Sequence, residues 1–550
     1  MNDIMNISSW LKKSAETFPY KRAVVVPNSR DAKGRVLYSH MTFSQLDMAS
    51  DNLAFAFEEN GITRGTRTIL MVPPGLDFFT IIFALFKVGA VPVVVDPGMG
   101  VKRMLSCFKQ GTPSAFIGIE KAHFLRILKP WCFKTVTTCV TVGKRILWGG
   151  LSLDQLLAHE TDTPFPTVST APHETAAILF TTGSTGPAKG VIYSHANFDA
   201  QLRQIRDHFH IGPDEIDLPT FPLFALFDPA LGMTAVIPDM DPTKPAQVNP
   251  EKIIEAIENQ GVTNMFASPA LLNRVGKFGK EMGVKLPSLK RVVSAGAPVT
   301  PANIEQFSTM LVSDTEIHTP YGATEAVPII SIGSKEILSE TRHLSEQGFG
   351  MCVGYPIGDA AIEIITITDD PIDQWHDDLK IPANEVGEIV VKAPLVTSGY
   401  FNNPGADLLA KIEDGDGGVW HRMGDLAWRD TKGRIWFCGR KSHRVTTGKG
   451  PLFTIPIEAV FNNHPQVFRS ALTGVGPRDM QTAVMCIEAE SGVTNTQKLL
   501  EELYAMADKH PLADAIEHIF IHPAFPVDIR HNSKIFREKL ALWADKKVKT

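Results

Sequence analysis

The stretch LFTTGSTGPAKGVIYSHAN, residues 179–197, joins a short apolar run to a loop rich in glycine and hydroxyl side chains. This order predicts a buried strand that leads into a phosphate-binding loop. Backbone N–H groups, hydroxyls and a lysine can all interact with phosphate oxygens. The alternative is a surface turn between a strand and a helix, because glycine–serine turns are common. Such a loop by itself serves hydrolysis, phosphoryl transfer or nucleotidyl transfer.

The loop is not a Walker A site. That pattern, Gly-x-x-x-x-Gly-Lys-Ser/Thr, requires a magnesium-binding hydroxyl directly after the lysine. Here Gly190 follows Lys189, and Gly183 and Gly186 are only three residues apart. The residues that we expect to contact phosphate are Thr181, Thr182, Gly183, Ser184, Thr185, Gly186 and Lys189.

Outward from this loop, apolar runs and helical periodicity alternate along most of the chain. The pattern predicts strands at 23–26, 68–72, 91–95, 177–181 and 291–294, and helices at 43–60, 76–88, 197–208 and 250–260. Alternation of this kind indicates an α/β architecture with parallel strands. Short strands and turns begin near residue 387. We predict an N-terminal domain of residues 1–438 and a C-terminal domain of residues 442–550, with the boundary at 439–441.

Composition and charge exclude several classes of protein. The 550 residues are 44% hydrophobic and 21% charged, as in ordinary globular proteins, and their number predicts two or more domains. A net charge of −6 argues against a nucleic-acid partner. The first residues lack the apolar centre of a signal peptide. Residues 78–95, the longest apolar stretch, contain Lys87, Gly89 and Pro92, which predicts a buried helix and strand rather than a membrane span. Six cysteines without a Cys-x-x-Cys pair favour a reducing cytoplasm.

Four further segments accompany the loop in a fixed order. They are ALFKVGAVPVVVDP at 84–97, YGATE at 321–325, HRMGDL at 421–426 and GRIWFCGRKSHRV at 433–445. Together with the loop they resemble the adenylate-forming superfamily of acyl-CoA synthetases, peptide-synthetase adenylation domains and luciferases. The resemblance covers nearly the whole chain. It implies a large N-terminal domain with parallel-rich sheets layered with helices plus a distorted β-barrel, and a small mobile α+β C-terminal domain.

The resemblance also implies a set of ATP-binding residues and a requirement for Mg²⁺. The loop would hold the β- and γ-phosphates, Thr324 the α-phosphate, and Glu325 the magnesium ion, while Asp425 and Arg440 would bind the ribose. A carboxylate plus substrate phosphates is ordinary magnesium chemistry. The expected adenine contacts are Ser294, Ala295, Gly296, Ala297, Pro298, Tyr321, Gly322 and Ala323.

Three more positions carry roles implied by the resemblance. Lys534, in HNSKIFREKL, aligns with the catalytic lysine, although Ser533 replaces the usual glycine. A lysine there would offset the charge that builds in the transition state; the alternative is one cation of a basic tail. His195 is expected either to act in catalysis or to orient the loop. Lys441 follows the ribose-binding arginine and is the predicted hinge residue.

The segment after the hinge bears on the acyl acceptor. Ligases that use coenzyme A usually carry an aspartate and an Ile-Lys pair there, and SHRVTTGKGPLFTIPIEAVF, residues 442–461, lacks both. The detailed motifs, including GPAKGV and TPYGATEAVPI, resemble the β-lactone synthetases of bacterial long-chain olefin biosynthesis. This implies adenylation of a 2-alkyl-3-hydroxy fatty acid, closure by its own β-hydroxyl, and association with other enzymes of that pathway. A fatty acyl-CoA or acyl-AMP ligase, or a non-catalytic scaffold, stays open.

An apolar segment is the candidate wall for the acyl chain. FPLFALFDPALGM, residues 221–233, is almost wholly apolar, as a lipid-binding wall would be, although part of it would serve as ordinary core. Asp228 within it would bind a substrate ammonium group, touch the β-hydroxyl or lie on the surface, and we favour the last two. The predicted wall residues are Phe221, Leu223, Phe224, Phe227 and Asp228.

Overall fold

The structure is a computed structural model that describes residues 5–158, 161, 163–181, 188–221, 224–527 and 535–549. Its strands are β1 Arg22–Arg30, β2 Val36–Thr42, β3 Arg67–Met71, β4 Val91–Val95, β5 Ala115–Ile119, β6 Thr138–Val142, β7 Leu151–Ser152, β8 Thr175–Thr181, β9 Lys189–Ser194, β10 Ile216–Pro219, β11 Thr234–Val236, β12 Asn264–Ala267, β13 Arg291–Ser294, β14 Glu316–His318, β15 Tyr321–Ala323, β16 Ala326–Ser331, β17 Met351–Pro356, β18 Ala361–Ile365, β19 Gly387–Lys392, β20 Lys411–Glu413, β21 Val419–Arg429, β22 Ile435–Arg440, β23 Val445–Thr447, β24 Gly450–Leu452, β25 Val467–Val475, β26 Thr482–Ala489 and β27 His518–Ile521.

The helices fill the connections between these strands. They are α1 Ser9–Thr17, α2 Phe43–Glu59, α3 Leu76–Lys87, α4 Val101–Gly111, α5 Glu120–Leu128, α6 Leu153–Leu157, α7 His195–His208, α8 Phe227–Ala230, α9 Pro250–Gln260, α10 Pro269–Met282, α11 Pro301–Ser308, α12 Ser334–Glu336, α13 Arg342–Glu346, α14 Pro404–Ala410, α15 Thr454–Asn462, α16 Thr496–Ala507 and α17 Arg537–Val548. Among the described residues, no helix is both long enough and apolar enough to cross a membrane.

Two seven-stranded sheets make up most of the N-terminal part. One has the order β14-β13-β12-β10-β11-β1-β2 and the other β7-β6-β5-β3-β4-β8-β9. All neighbours are parallel except the outer pairs β1–β2 and β8–β9. Helical crossovers explain why parallel strands dominate. The predicted α/β class with parallel-rich sheets is confirmed.

An antiparallel eight-stranded sheet and a small C-terminal unit complete the fold. The sheet runs β15-β16-β17-β22-β21-β19-β18, with β20 on β21. The pairings among the described residues leave this order open, with no ladder from β15 to β18. In the C-terminal unit, β25, β26 and β27 form a three-stranded sheet, and α15 and α17 contact β25. The boundaries 1–438, 439–441 and 442–550 stay predictions.

The longest apolar stretch folds as a buried helix and strand, as predicted. It comprises α3 and β4, and Lys87 at the end of α3 is fully buried. Its Nζ lies 2.7 Å from Asp47 Oδ1 and 2.6 Å from Asp51 Oδ1, both on α2. A buried charge requires such partners.

Candidate active site

A large cavity of about 1550 Å³ lies where these units meet. Its lining includes Ser294 from the end of β13, Glu325 after β15, Asp425 from β21, Arg440 from β22 and Arg537 from α17. These residues are up to 243 positions apart in sequence. The fold therefore gathers most of the predicted ATP-binding residues around one space.

Asp425 is a buried carboxylate of this cavity, with 4% of its surface exposed. It faces Arg440 across adjacent antiparallel strands. The Tyr321 hydroxyl donates to Asp425 Oδ2 at 2.6 Å, and Oδ1 lies 3.1 Å from Arg440 Nη1. That ion pair lacks hydrogen-bond geometry, so Oδ1 accepts no hydrogen bond from the described residues. Burial raises the pKa of Asp425, and the Arg440 charge opposes this shift.

Glu325 is held by a tyrosine that the sequence analysis did not identify. The Tyr400 hydroxyl donates to Glu325 Oε1 at 2.6 Å, and the Glu325 carbonyl accepts from the Thr397 N–H at 2.9 Å. Burial, followed by the nearby Glu325 charge, raises the pKa of Tyr400. The hydroxyl consequently stays protonated and serves as a donor. In the sequence, the only local feature that could have indicated Tyr400 is its position after a glycine in SGYFNNP.

Tyr400 also connects the carboxylate to the strand after the predicted phosphate loop. Lys189 Nζ lies 4.7 Å from the centre of the Tyr400 ring, a cation–π contact. The Phe401 N–H donates to the Gly190 carbonyl at 2.7 Å, and the Tyr400 N–H donates to Asp407 Oδ1 at 2.8 Å. One aromatic residue thus contacts both the lysine and the carboxylate of the predicted site.

The loop itself joins two antiparallel strands rather than a strand and a helix. Thr181 pairs with Lys189 at the ends of β8 and β9, and α7 begins only at His195. The alternative interpretation, a surface turn between a strand and a helix, is therefore wrong about the element that follows the loop. Several predicted site residues lie outside the described residues: Thr182, Gly183, Ser184, Thr185, Gly186, Leu223 and Lys534.

The cation Lys411, whose charge interacts with that of Glu325, is a second residue that the sequence patterns did not indicate. Lys411 is buried, and its ammonium group donates to the Thr397 carbonyl. Burial lowers the pKa of Lys411 to about 8, while the charges of Glu325 and Asp407 oppose the shift. The Tyr193 hydroxyl donates to the Thr324 carbonyl from the neighbouring strand β9. The Tyr193 contact holds the backbone at Thr324 directly, and Lys411 holds Thr397, whose N–H donates to the Glu325 carbonyl.

The predicted adenine segment follows β13 and lines the cavity. Residues 294–298 all contribute to the lining, as do Tyr321, Gly322, Ala323 and Thr324. Gly296 has φ 93°, which side chains rarely adopt, so the turn requires glycine. Ser294 Oγ is buried and has no hydrogen-bond partner among the described residues.

His195 is the first residue of α7 and is buried. Its Nδ1 accepts a hydrogen bond from the Ile7 N–H at 3.2 Å. Burial lowers the pKa of His195 to about 4, so the ring is neutral near pH 7. It is not among the described residues that line the cavity. These contacts agree with an orienting role, and a part in catalysis stays a prediction.

The apolar wall divides into cavity-lining and core residues. Phe221 and Phe227 line the cavity with Leu226 and Ala230, and Phe224 lies in a short helical turn before α8. Asp228 is only 5% exposed, so the expected surface position is wrong.

Asp228 forms a buried carboxyl pair with Asp217 of β10. Burial raises the pKa of Asp217 to about 7, and burial and Asp217 raise that of Asp228. Asn264 donates from its side-chain amide to Asp217 Oδ1. Asp228 is absent from the described cavity lining. An alternating sequence pattern cannot reveal such a pair, because its members lie on separate elements.

Lys441, the predicted hinge residue, follows β22 directly. Its Nζ lies 2.8 Å from Glu388 Oε2 and donates to the Thr368 carbonyl at 2.8 Å. Glu388 is 1% exposed and also pairs with Arg422 at 2.7 Å. Beyond the hinge, Arg444 lies 2.6 Å from Asp369. Charged contacts therefore hold both sides of the hinge together.

The residues at Glu325 fit a magnesium ion bound jointly with phosphate. Glu325 lines the cavity, and the described part of the chain contains no group of three His, Cys, Asp or Glu side chains placed to hold a metal. Magnesium ions often bind through one or two carboxylates together with waters and substrate phosphates. The donor set agrees with this mode rather than with a complete protein cage.

Comparison with known proteins gives the family. Residues 11–401 match the AMP-binding enzyme family. The chain belongs to the AMP-binding enzymes. It is similar to olefin beta-lactone synthetases of Xanthomonas campestris pv. campestris and Stenotrophomonas maltophilia, each 44% identical over 99% of this chain and covering 98% and 99% of those proteins.

Among solved structures, the amide bond synthetase McbA from Marinactinospora thermotolerans superimposes with a TM-score of 0.78 at 20% identity, covering 98% of this chain and 99% of that one. This likeness confirms the fold. The family match confirms the predicted adenylate-forming enzyme, and the full-length similarity confirms the predicted subfamily resemblance.

Proposed function

We propose that this AMP-binding enzyme is an ATP-dependent β-lactone synthetase acting on a long-chain 2-alkyl-3-hydroxy fatty acid. The observation that carries the proposal is the 44% identity to olefin beta-lactone synthetases over 99% of the chain. The missing Asp and Ile-Lys after the hinge support it, because an acceptor within the substrate needs no thiol tunnel.

In the first step the substrate carboxylate attacks the α-phosphorus of ATP, a P–O bond forms, and pyrophosphate leaves. Asp425 Oδ1, buried without a hydrogen-bond donor, would accept from the ribose, and Arg440 would hold it in place. Lys189 would neutralise phosphate charge, and Lys534 would offset charge at the reacting oxygens. Magnesium at Glu325 would supply charge neutralisation for the leaving pyrophosphate.

In the second step the β-hydroxyl oxygen attacks the acyl carbon. The C–O bond to AMP breaks, AMP leaves, and the hydroxyl proton is released. The activated acyl phosphate drives closure of the strained ring, and the cavity fixes the reacting groups near each other. Phe221 and Phe227 offer an apolar wall to the alkyl chains.

One assay separates the proposed activity from its alternatives. The protein is incubated with ATP, Mg²⁺ and a 3-hydroxy fatty acid, with and without CoA, and the products are identified by mass. Loss of one water without CoA supports the lactone synthetase. A thioester that appears only with CoA supports a ligase, and absence of AMP with every acid supports a scaffold. Lys534→Ala is expected to remove most adenylation while ATP binding remains; near-normal pyrophosphate release would exclude Lys534 from the mechanism.

We also propose a cytoplasmic location, which the six unpaired cysteines support, since a reducing compartment keeps thiols free. Association with other enzymes of the olefin pathway stays a prediction.

A further inference from the structure

A surface on α5 and two neighbouring segments carries an unusual number of exposed apolar side chains. It lies far in sequence from the predicted catalytic residues. Six large apolar side chains there are between 41% and 78% exposed. They form what we call the apolar patch: Phe124, Ile127, Leu128, Trp131, Ile146 and Leu147. Single exposed apolar residues are common on soluble proteins, but a cluster of large ones indicates an interaction surface.

The helix α5 turns apolar side chains outward. Phe124, Ile127 and Leu128 follow the i, i+3, i+4 spacing of one helical face, and all three are exposed. The buried residues of α5 are Ala122 and His123. A surface helix ordinarily directs its apolar stripe to the core. Here part of that apolar stripe is exposed and can contact another apolar surface.

The other members of the apolar patch are fixed beside α5. Trp148 is buried, stacks on His123 at 5.2 Å and contacts Phe124 at the same distance. The Lys144 N–H donates to Glu120 Oε1 at 2.9 Å. These contacts anchor the segment that carries Ile146 and Leu147. The Pro130–Cys132 turn, which carries Trp131, directly follows the helix.

The charge of the same segments has the opposite sign to that of the chain. Between Glu120 and Asp154 there are six lysines and arginines and no acidic residue, whereas the whole chain has a net charge of −6. Lys121, Lys134, Lys144 and Arg145 are exposed. Lys129 Nζ lies 5.1 Å from the centre of the Trp131 ring.

We propose that the apolar patch binds the surface of an anionic lipid bilayer. Apolar and aromatic side chains would enter the boundary between headgroups and acyl chains, and the basic residues would pair with lipid phosphates. The positive charge of these segments favours a bilayer over a protein partner. A protein partner would need an acidic face, whereas cytoplasmic leaflets carry negative charge over their whole surface.

The test uses the full-length protein and co-sedimentation with vesicles of phosphatidylethanolamine, with and without phosphatidylglycerol. We expect binding that requires phosphatidylglycerol and decreases with added salt. The double variant Lys144→Glu/Arg145→Glu should weaken binding by about thirty-fold or more, since each basic residue near an anionic surface contributes about fivefold in affinity. Leu147→Ser should weaken it by about tenfold.

Matched controls lie on another helix, α10. Arg274→Glu/Lys277→Glu makes the same charge change at exposed positions, and Met282→Ser removes an apolar side chain that is 66% exposed. Neither control should change vesicle binding. Adenylation of a soluble acid without vesicles should be unchanged in every variant, which shows that each one folds.

Three results would overturn the proposal. They are equal binding to vesicles without phosphatidylglycerol, equal losses in the patch and control variants, and vesicle binding that is unaffected by the patch variants. Sedimentation velocity adds a decisive comparison. If the patch variants convert a dimer to a monomer while vesicle binding persists, the apolar patch joins two copies of the chain instead.

Discussion

Replacing Tyr400 with phenylalanine removes one hydroxyl group and leaves the aromatic ring in place. That hydroxyl donates to Glu325 Oε1 at 2.6 Å, and Tyr400 is 5% exposed. A hydrogen bond to a charged group contributes about 1.5–3 kcal/mol. If Glu325 holds magnesium, the variant loses the group that orients this carboxylate. Loss of such an orienting partner costs about 10–100-fold in metal affinity or activity.

The assay is ATP–pyrophosphate exchange, measured over a range of Mg²⁺ concentrations. The concentration of Mg²⁺ that gives half-maximal exchange should rise about 10–100-fold in Tyr400→Phe. The cation–π contact with Lys189 remains in this variant, so the half-saturating concentration of ATP at saturating Mg²⁺ should change much less. Tyr400→Leu also removes the ring and should raise that ATP concentration.

Tyr355→Phe is the matched control. The Tyr355 hydroxyl donates to Glu336 Oε1 at 3.0 Å, and neither residue is among the described residues that line the cavity. The control should leave the Mg²⁺ requirement unchanged. An unchanged requirement in Tyr400→Phe, or an equal shift in both variants, would refute the assignment of Tyr400 as an orienting residue.

Three further variants test other parts of the structure. Asp425→Asn should raise the half-saturating ATP concentration about 10–100-fold in pyrophosphate exchange, since it weakens charge-assisted bonds to the ribose; an unchanged value would exclude ribose binding there. The pKa of Asp217 is raised from 3.8 to about 7 in the folded protein. Its favourable contribution to the free energy of unfolding is therefore complete below pH 3.8 and is lost as the pH rises through 7. Asp228→Asn removes the paired carboxyl, so the melting temperature should fall less steeply over this range, and an identical pH profile would contradict the pairing. The contacts of Lys441 with Glu388 and Thr368 form what we call the latch of the predicted hinge. Lys441→Ala should speed proteolysis at this hinge without lowering the melting temperature of the large domain, because Glu388 keeps another cationic partner; unchanged proteolysis would argue against the latch.

Local sequence patterns predicted much of the scaffold. The strands at 91–95 and 291–294 and the helix at 250–260 have the predicted bounds. The helix has clear end signals: Asn249 caps it, Pro250 begins it, and Gly261 with φ 62° follows it. Strand β9 was missed because its short run adjoins a helix and its partner strand lies across the loop.

Local sequence patterns could not predict contacts between segments that are distant in sequence. Tyr400 and Glu325 are 75 residues apart, and they meet because residues 399–401 pair with β9 and the Thr397 N–H bonds to the Glu325 carbonyl. Family resemblance supplied residues that occur in recognisable motifs, such as Asp425. It did not supply Lys411, because a lysine at the start of a short strand carries no local sign of burial.

The contacts at the hinge bear on the choice of acyl acceptor. Rotation about Lys441 would break its contacts with Glu388 and Thr368, each 2.8 Å long. Arg422 would remain paired with Glu388, so rotation would not leave a buried carboxylate without a partner, which is the costly outcome. The latch therefore opposes rotation without forbidding it. An enzyme that rotates to admit CoA would break this latch in every cycle, whereas a hydroxyl carried by the substrate can reach the acyl carbon while the latch stays closed. The latch is thus better suited to lactone closure than to thioester formation.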